Sequence, residues 1–133
     1  MFSYFTVTSA NEALPKIIEK FKALQKQKQE IQRLEAQLNS QMSASFNLAN
    51  YVTIKQQLND AITRFYSAVA DLERTGVVLK SLEEGLLDFP SMRFDQEVWL
   101  CWKEGEKEIK FWHEKDVGFM GRKPLSVSDE SLV

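Results

Sequence analysis

QEVWLCWKEGEKEIKFWHEKDVGFMGRKPL, Gln96 to Leu125, is the stretch whose reading decides the fold. Val98, Leu100 and Trp102 alternate with Glu97, Trp99, Cys101 and Lys103. After Glu104-Gly105-Glu106-Lys107 the alternation resumes, with Ile109, Phe111 and His113 set against Glu108, Lys110 and Trp112. A period of two on either side of a short, polar, glycine-containing turn is the pattern of a β-hairpin. If the four-residue turn pairs Lys103 with Glu108, then Trp102 faces Ile109, Leu100 faces Phe111 and Val98 faces His113 on one side, and Trp99 pairs with Trp112 on the other. The same stretch holds all three tryptophans, the only cysteine and the only histidine, so site chemistry is expected in it or beside it.

Upstream the period changes. Ile17, Leu24, Ile31 and Leu38 recur every seven residues, flanked by Leu14, Ile18, Phe21 and Leu34, and the other faces are nearly all Lys, Gln, Glu and Arg. That is one apolar stripe on a long helix. Ser9 with Glu12 three residues on reads as a capping box, with Thr6 or Thr8 as alternative caps, and Pro15 should kink the first turns against the rest. The run SQMSASFNLAN loses the period and reads as an interhelical loop, with Asn47 or Asn50 capping the next helix. Tyr51, Ile54, Leu58, Ala61, Phe65, Ala68 and Leu72 then trace a second stripe, which Gly76 ends as a left-handed C-cap. At about 1.5 Å per residue the two helices span roughly 45 and 35 Å, longer than the remaining chain can cover. The excess stripe predicts a homodimer in which two hairpins bundle. Beyond Gly76, Val77-Val78-Leu79 and Leu86-Leu87-Asp88-Phe89 are short β-like runs punctuated by Gly85 and Pro90.

The predicted class is therefore α+β: a long antiparallel, coiled-coil-like two-helix hairpin capped by a small antiparallel sheet, with Gln96 to His113 at the sheet's centre. One domain is expected over 1–125, with the hairpin at about 8–75 and the β cap at about 77–125. The polar residues 126–133 read as a fraying tail. With 17 basic and 19 acidic residues, the net charge of −2 supplies no overall field for nucleic acid or an anionic membrane, so neither is an expected partner. One cysteine cannot form an internal disulfide and points to a reducing, cytoplasmic setting. The N-terminal MFSYFTVTSAN lacks a signal peptide's pattern, and no apolar run reaches membrane-spanning length.

His113-Glu114-Lys115-Asp116 is the densest cluster of groups able to bind a metal or move a proton, since imidazole and carboxylates suit zinc, iron or manganese. The candidate catalytic residues are His113, Glu114 and Asp116. The candidate metal ligands are His113, Asp116, Glu114 and Asp88, with Glu84 also in range. In an extended strand Glu114 points away from His113, which favours Asp116 as its co-ligand. The competing reading is a structural histidine, partly buried on the Ile109/Phe111 face and hydrogen-bonded to a carboxylate. A Cys101–His113 nucleophile pair is disfavoured by parity, because the assumed pairing puts the two on opposite faces. Gly118-Phe119-Met120-Gly121-Arg122-Lys123 lacks a P-loop's ending and reads as a tight turn, with Arg122 as a possible anion anchor. The Lys/Gln-rich face of the first helix reads as a solvated coiled-coil exterior.

FTVTSANEALP at the start, a long helical pair and GLLDFPSMRFDQEVWLCWKEGEKEIKFWHEKDVGFMGRKPL together resemble the bacterial and archaeal family catalogued as domain of unknown function 2203. The resemblance is carried by Asp88-Phe89-Pro90, Leu100 to Trp102, Trp112 to Glu114, then Asp116, Gly118, Gly121 and Arg122. Thr8-Ser9 departs from the family, where acidic residues are common. The family implies the same layout and brings no established activity. Two functions of different classes are therefore expected as alternatives: a non-catalytic, homo-oligomeric assembly or interaction protein that binds a partner through its hairpin, or a metal-binding or acid–base site, with hydrolysis as a candidate chemistry, at His113, Asp116, Glu114 and Asp88 with Arg122 as anion anchor.

Overall fold

The computed structural model describes residues 4–41 and 46–125. The chain runs from helix α1 (Val7–Gln41) through helix α2 (Leu48–Glu73) into five strands: β1 (Val78–Ser81), β2 (Leu86–Arg93), β3 (Gln96–Lys103), β4 (Phe111–Glu114) and β5 (Lys123–Pro124). The strands form one antiparallel meander in sequence order. The fold is the expected α+β arrangement of a helical hairpin and a small sheet. The tail 126–133 and residues 42–45 of the interhelical loop lie outside the described residues.

The helix starts are set by side chains that satisfy free backbone N–H groups. For α1 the cap is Thr6: its Oγ1 accepts from the Ser9 amide at 3.0 Å, while Ser9 Oγ accepts from the Thr6 amide at 2.9 Å. This is a reciprocal box built on Thr6 and Ser9, one turn earlier than the Ser9/Glu12 box read from the sequence. α1 contains Pro15 and remains helical to Gln41. For α2 the cap is Asn47, whose Oδ1 accepts from the Asn50 amide at 3.1 Å. Gly76 turns the chain out of α2 with φ +100°, where a Cβ would also meet the Phe5 ring at 3.2 Å.

Two apolar clusters divide the hairpin. Its base packs Leu14, Ile17, Phe21 and Leu24 of α1 with Leu72 of α2 against Leu87, Phe89, Leu100 and Trp102 of the sheet. Farther out, Ile31 and Leu34 meet Ile54, Leu58 and Ala61, and each is no more than 7 % exposed. The two helices thus cover each other's stripe along the arm. Each helix supplies part of the cover the other's stripe needs, and Leu38, Ile62 and Phe65 beside this cluster stay only partly buried.

β2 is buried on both faces along nearly its whole length. Leu87 and Phe89 face the helices, while Leu86 and Asp88 face the opposite side. Pro90 is tolerated because β1 pairs only as far as Asp88. The edge beyond is taken by the N-terminal segment, with the Phe5 amide donating to Pro90 O at 2.7 Å and Ser91 Oγ donating to Phe5 O at 2.6 Å. β2 and β3 join through Phe94-Asp95, both at positive φ (51° and 62°), as a two-residue hairpin turn requires.

The β3–β4 register corrects the sequence reading. Cys101 pairs with Phe111, Leu100 with Trp112, Trp99 with His113 and Val98 with Glu114, one residue out of step with a Lys103–Glu108 pairing. The connection is longer than four residues because Glu104–Lys110 is organised by contacts of its own. Glu106 O accepts from the Trp102 indole N–H at 2.8 Å, Glu106 Oε1 accepts from the Lys103 amide at 2.8 Å, and the Ile109 amide donates to Asn11 Oδ1 of α1 at 2.6 Å. Ile109 thereby enters the core outside any strand. A one-residue slip turns over every side chain of β4. Trp112 moves to the helix-facing side, and His113 moves to the face of Trp99 and Cys101.

Candidate functional site

The outer face of the sheet, turned away from the helices, carries the chemistry. Asp88 of β2 lies directly opposite Cys101 of β3, and His113 of β4 lies opposite Trp99. With strands about 4.8 Å apart, side chains from β2 and β4 can meet over β3. They do: His113 Nε2 lies 3.1 and 3.2 Å from the two oxygens of Asp88. Asp88, Cys101 and His113 are all buried, at 2 %, 1 % and 3 % exposure. One ligand atom from each falls within 4.8 Å of the others, the group among the described residues placed to share an ion.

The protonation of the cluster follows from its partners. His113 Nδ1 lies 2.9 Å from the carbonyl oxygen of Glu114, which can only accept, so Nδ1 carries a proton. Nε2 is then the ring nitrogen that faces the Asp88 carboxyl group. Burial raises the pKa of Asp88, and His113 opposes that rise through its charge and hydrogen bond. Burial, reinforced by the negative charge of Asp88, pushes the Cys101 thiol up to about 11. Without a metal, Cys101 is therefore a thiol at neutral pH, not an activated nucleophile. The parity argument that separated Cys101 from His113 is overturned by the register. The reason the pair is not a thiolate–imidazole nucleophile is electrostatic.

The cluster lines a cavity of about 170 Å³ with Lys80, Leu86, Trp99, Lys115, Val117, Gly118 and Phe119. Trp99 forms a platform there, with Lys115 Nζ 3.9 Å and Lys80 Nζ 4.8 Å from its ring centre. The chain after β4 passes over this face and is anchored by Arg122. Its guanidinium grips Glu106 with two bonds of 3.2 and 2.7 Å and stacks on Phe111 at 3.9 Å and Phe119 at 4.5 Å. Nη1 also stands 4.0 Å from Cys101 Sγ.

Of the residues singled out from sequence, Asp88 and His113 are brought together. Glu114 is directed instead to Lys123, at 3.0 Å, and that ammonium holds its carboxyl below the usual range. Asp116 is exposed in the turn after β4, outside the cluster. Arg122 is close by, but its fork is occupied by Glu106. Cys101, set aside from sequence as a partner of His113 on parity, is the third member of the cluster.

Comparison with family models matches residues 3–125 to an uncharacterized conserved protein family (DUF2203). The chain belongs to this family. Neither the curated proteins nor the solved structures give a significant match. The family is uncharacterized, so the functional reading of this DUF2203 protein rests on its own site. No helix among its described residues is long and apolar enough to cross a membrane.

Proposed function

We propose that this protein is a zinc-binding protein whose metal is held by Asp88, Cys101 and His113, with one coordination position open to the cavity. The observation that carries the reading is the convergence of a carboxylate, a thiol and an imidazole, all buried, within 4.8 Å at a cavity floor. Zinc bonds of about 2.0–2.3 Å place tetrahedral ligand atoms roughly 3.3–3.8 Å apart, so a contraction of about an ångström closes the set. A metal would also resolve the site's electrostatics. It bridges the facing Nε2 of His113 and carboxylate of Asp88, and it stabilises the thiolate that burial otherwise disfavours. His113 is already oriented for the role, because the bond from its Nδ1–H to Glu114 O leaves Nε2 as the ligand atom. Among zinc, iron and manganese, the thiolate favours zinc.

Three protein ligands with an open fourth position is the layout of zinc sites that act as Lewis acids or activate water, so the class of chemistry supported is metal-assisted hydrolysis or hydration. A reducing cytoplasm would keep Cys101 available as a ligand. The test is metal content after expression in zinc-supplemented medium. One equivalent of zinc per chain, lost in Cys101→Ser and His113→Ala but kept in Asp116→Ala, supports the reading; metal-free wild-type protein that takes up no added zinc overturns it.

A second reading, assembly through the hairpin as a homodimer or with another protein, is favoured by Leu48, Val52 and Tyr66 on α2, which are 66 %, 44 % and 67 % exposed. Light scattering on the eluting protein distinguishes a dimer, which this reading requires if the partner is a second copy, from a monomer.

A further inference from the structure

We infer that the open position of the metal site takes a small oxyanion, a phosphate or carboxylate group, recognised jointly by the metal and by Lys80 and Lys115. The inference rests on the zinc reading and deepens it. Its basis is the charge balance of the cavity. A zinc ion bound by a thiolate, a carboxylate and a neutral imidazole forms a neutral centre. The remaining charged side chains lining the cavity are two lysines, so the loaded pocket is cationic at its mouth.

The lysines are not scattered. Each ammonium lies over the ring of Trp99, a residue adjacent in its strand face to Cys101 and paired across the ladder with His113. Trp99 thus holds two cations at the cavity that the metal ligands line. Lys115 also has Glu97 at 4.0 Å, a separation long enough for an incoming anion to compete. Arg122 is not part of this recognition, since Glu106 already holds its fork. A cavity of about 170 Å³ has room for an inorganic oxyanion or the anionic end of a small metabolite.

The test uses the full-length protein loaded with cobalt(II), whose visible absorption reports ligand number and open-position occupancy. Tetrahedral bands with a sulfur-to-metal charge-transfer band establish the metal site first. Inorganic phosphate and acetate are then titrated separately, which distinguishes the two oxyanion types. Saturable change of the visible bands by either anion is expected, with affinity reduced about threefold to tenfold in Lys80→Met and in Lys115→Met, and cobalt uptake retained in both. Normal cobalt bands that neither anion changes, or anion affinities equal in wild type and both lysine variants, would overturn the oxyanion inference while leaving the metal reading in place. Wild-type protein that gives no cobalt bands would overturn both.

Discussion

Raising the pH of the metal-free protein should destabilise it through Cys101 by an amount that the site's electrostatics set. The thiol lies at about 11 in the folded protein against an ordinary value of 9.0, because it is buried and faces the charge of Asp88. A group whose pKa is raised on folding contributes stability that is complete below its unfolded pKa and is lost as pH rises through the folded one. The window is thus pH 9 to 11. At pH 8 almost nothing is lost; at pH 10 the unfolded thiol is mostly ionised and the folded one is not, which costs about 1.4 kcal/mol. Other groups also titrate there, so the comparison is with Cys101→Ala, measured by urea denaturation in the presence of a chelator at pH 8 and pH 10. Wild type should lose about 1.4 kcal/mol more than the variant between the two. Equal losses would refute the assignment of a buried, charge-opposed thiol, and so would rapid reaction of the folded protein with a thiol reagent at pH 8.

The same linkage applied to Asp88, whose raised pKa means stability lost as pH climbs above the ordinary carboxylate range, predicts that metal-free Asp88→Asn gains on wild type between pH 3 and pH 7; a falling difference in denaturation midpoints contradicts it. Leu58→Ala, which empties a site 6 % exposed in the outer hairpin cluster, should cost about 3 kcal/mol. Hydrogen exchange should then accelerate in the arm around Ile31, Leu34 and Ile54 while the β2 and β3 amides stay protected. Arg122→Met keeps packing against Phe111 and Phe119 but removes the partner of Glu106, and should cost about 1–2 kcal/mol in thermal or chemical melts without lowering metal content.

How far the sequence could be read depended on how local each determinant is. The helical hairpin was legible because heptad spacing is a property of each helix alone, and Asn47 and Gly76 mark the boundaries with local chemistry. β3 was legible for the same reason. Its register against β4 was not, because Ile109, Phe111 and His113 alternate equally well whether the strand begins at Glu108 or at Phe111. The deciding contact comes from Asn11, far away on α1, which captures the Ile109 amide and lengthens the connection. That single residue of slip decides which face His113 occupies, and hence whether it meets Cys101. Asp88, Cys101 and His113 stand on three successive strands, so no spacing along the chain could announce them. His113 and Asp88 were reachable as the residue types able to act. Glu114 and Asp116 were read as candidates from their nearness to His113 along the chain, and Asp116 was preferred because an extended strand turns Glu114 away. The hairpin's self-coverage was likewise hidden, since a stripe's length does not say which helix will lie against it.

The most direct test of the account is zinc stoichiometry by elemental analysis across wild type, Asp88→Asn, Cys101→Ser, His113→Ala, Glu114→Gln and Asp116→Ala, with circular dichroism confirming that each is folded. One zinc per chain is expected in wild type, Glu114→Gln and Asp116→Ala, and loss in the other three. Folded wild-type protein that binds no zinc, or zinc retained when Cys101 is replaced, would contradict it.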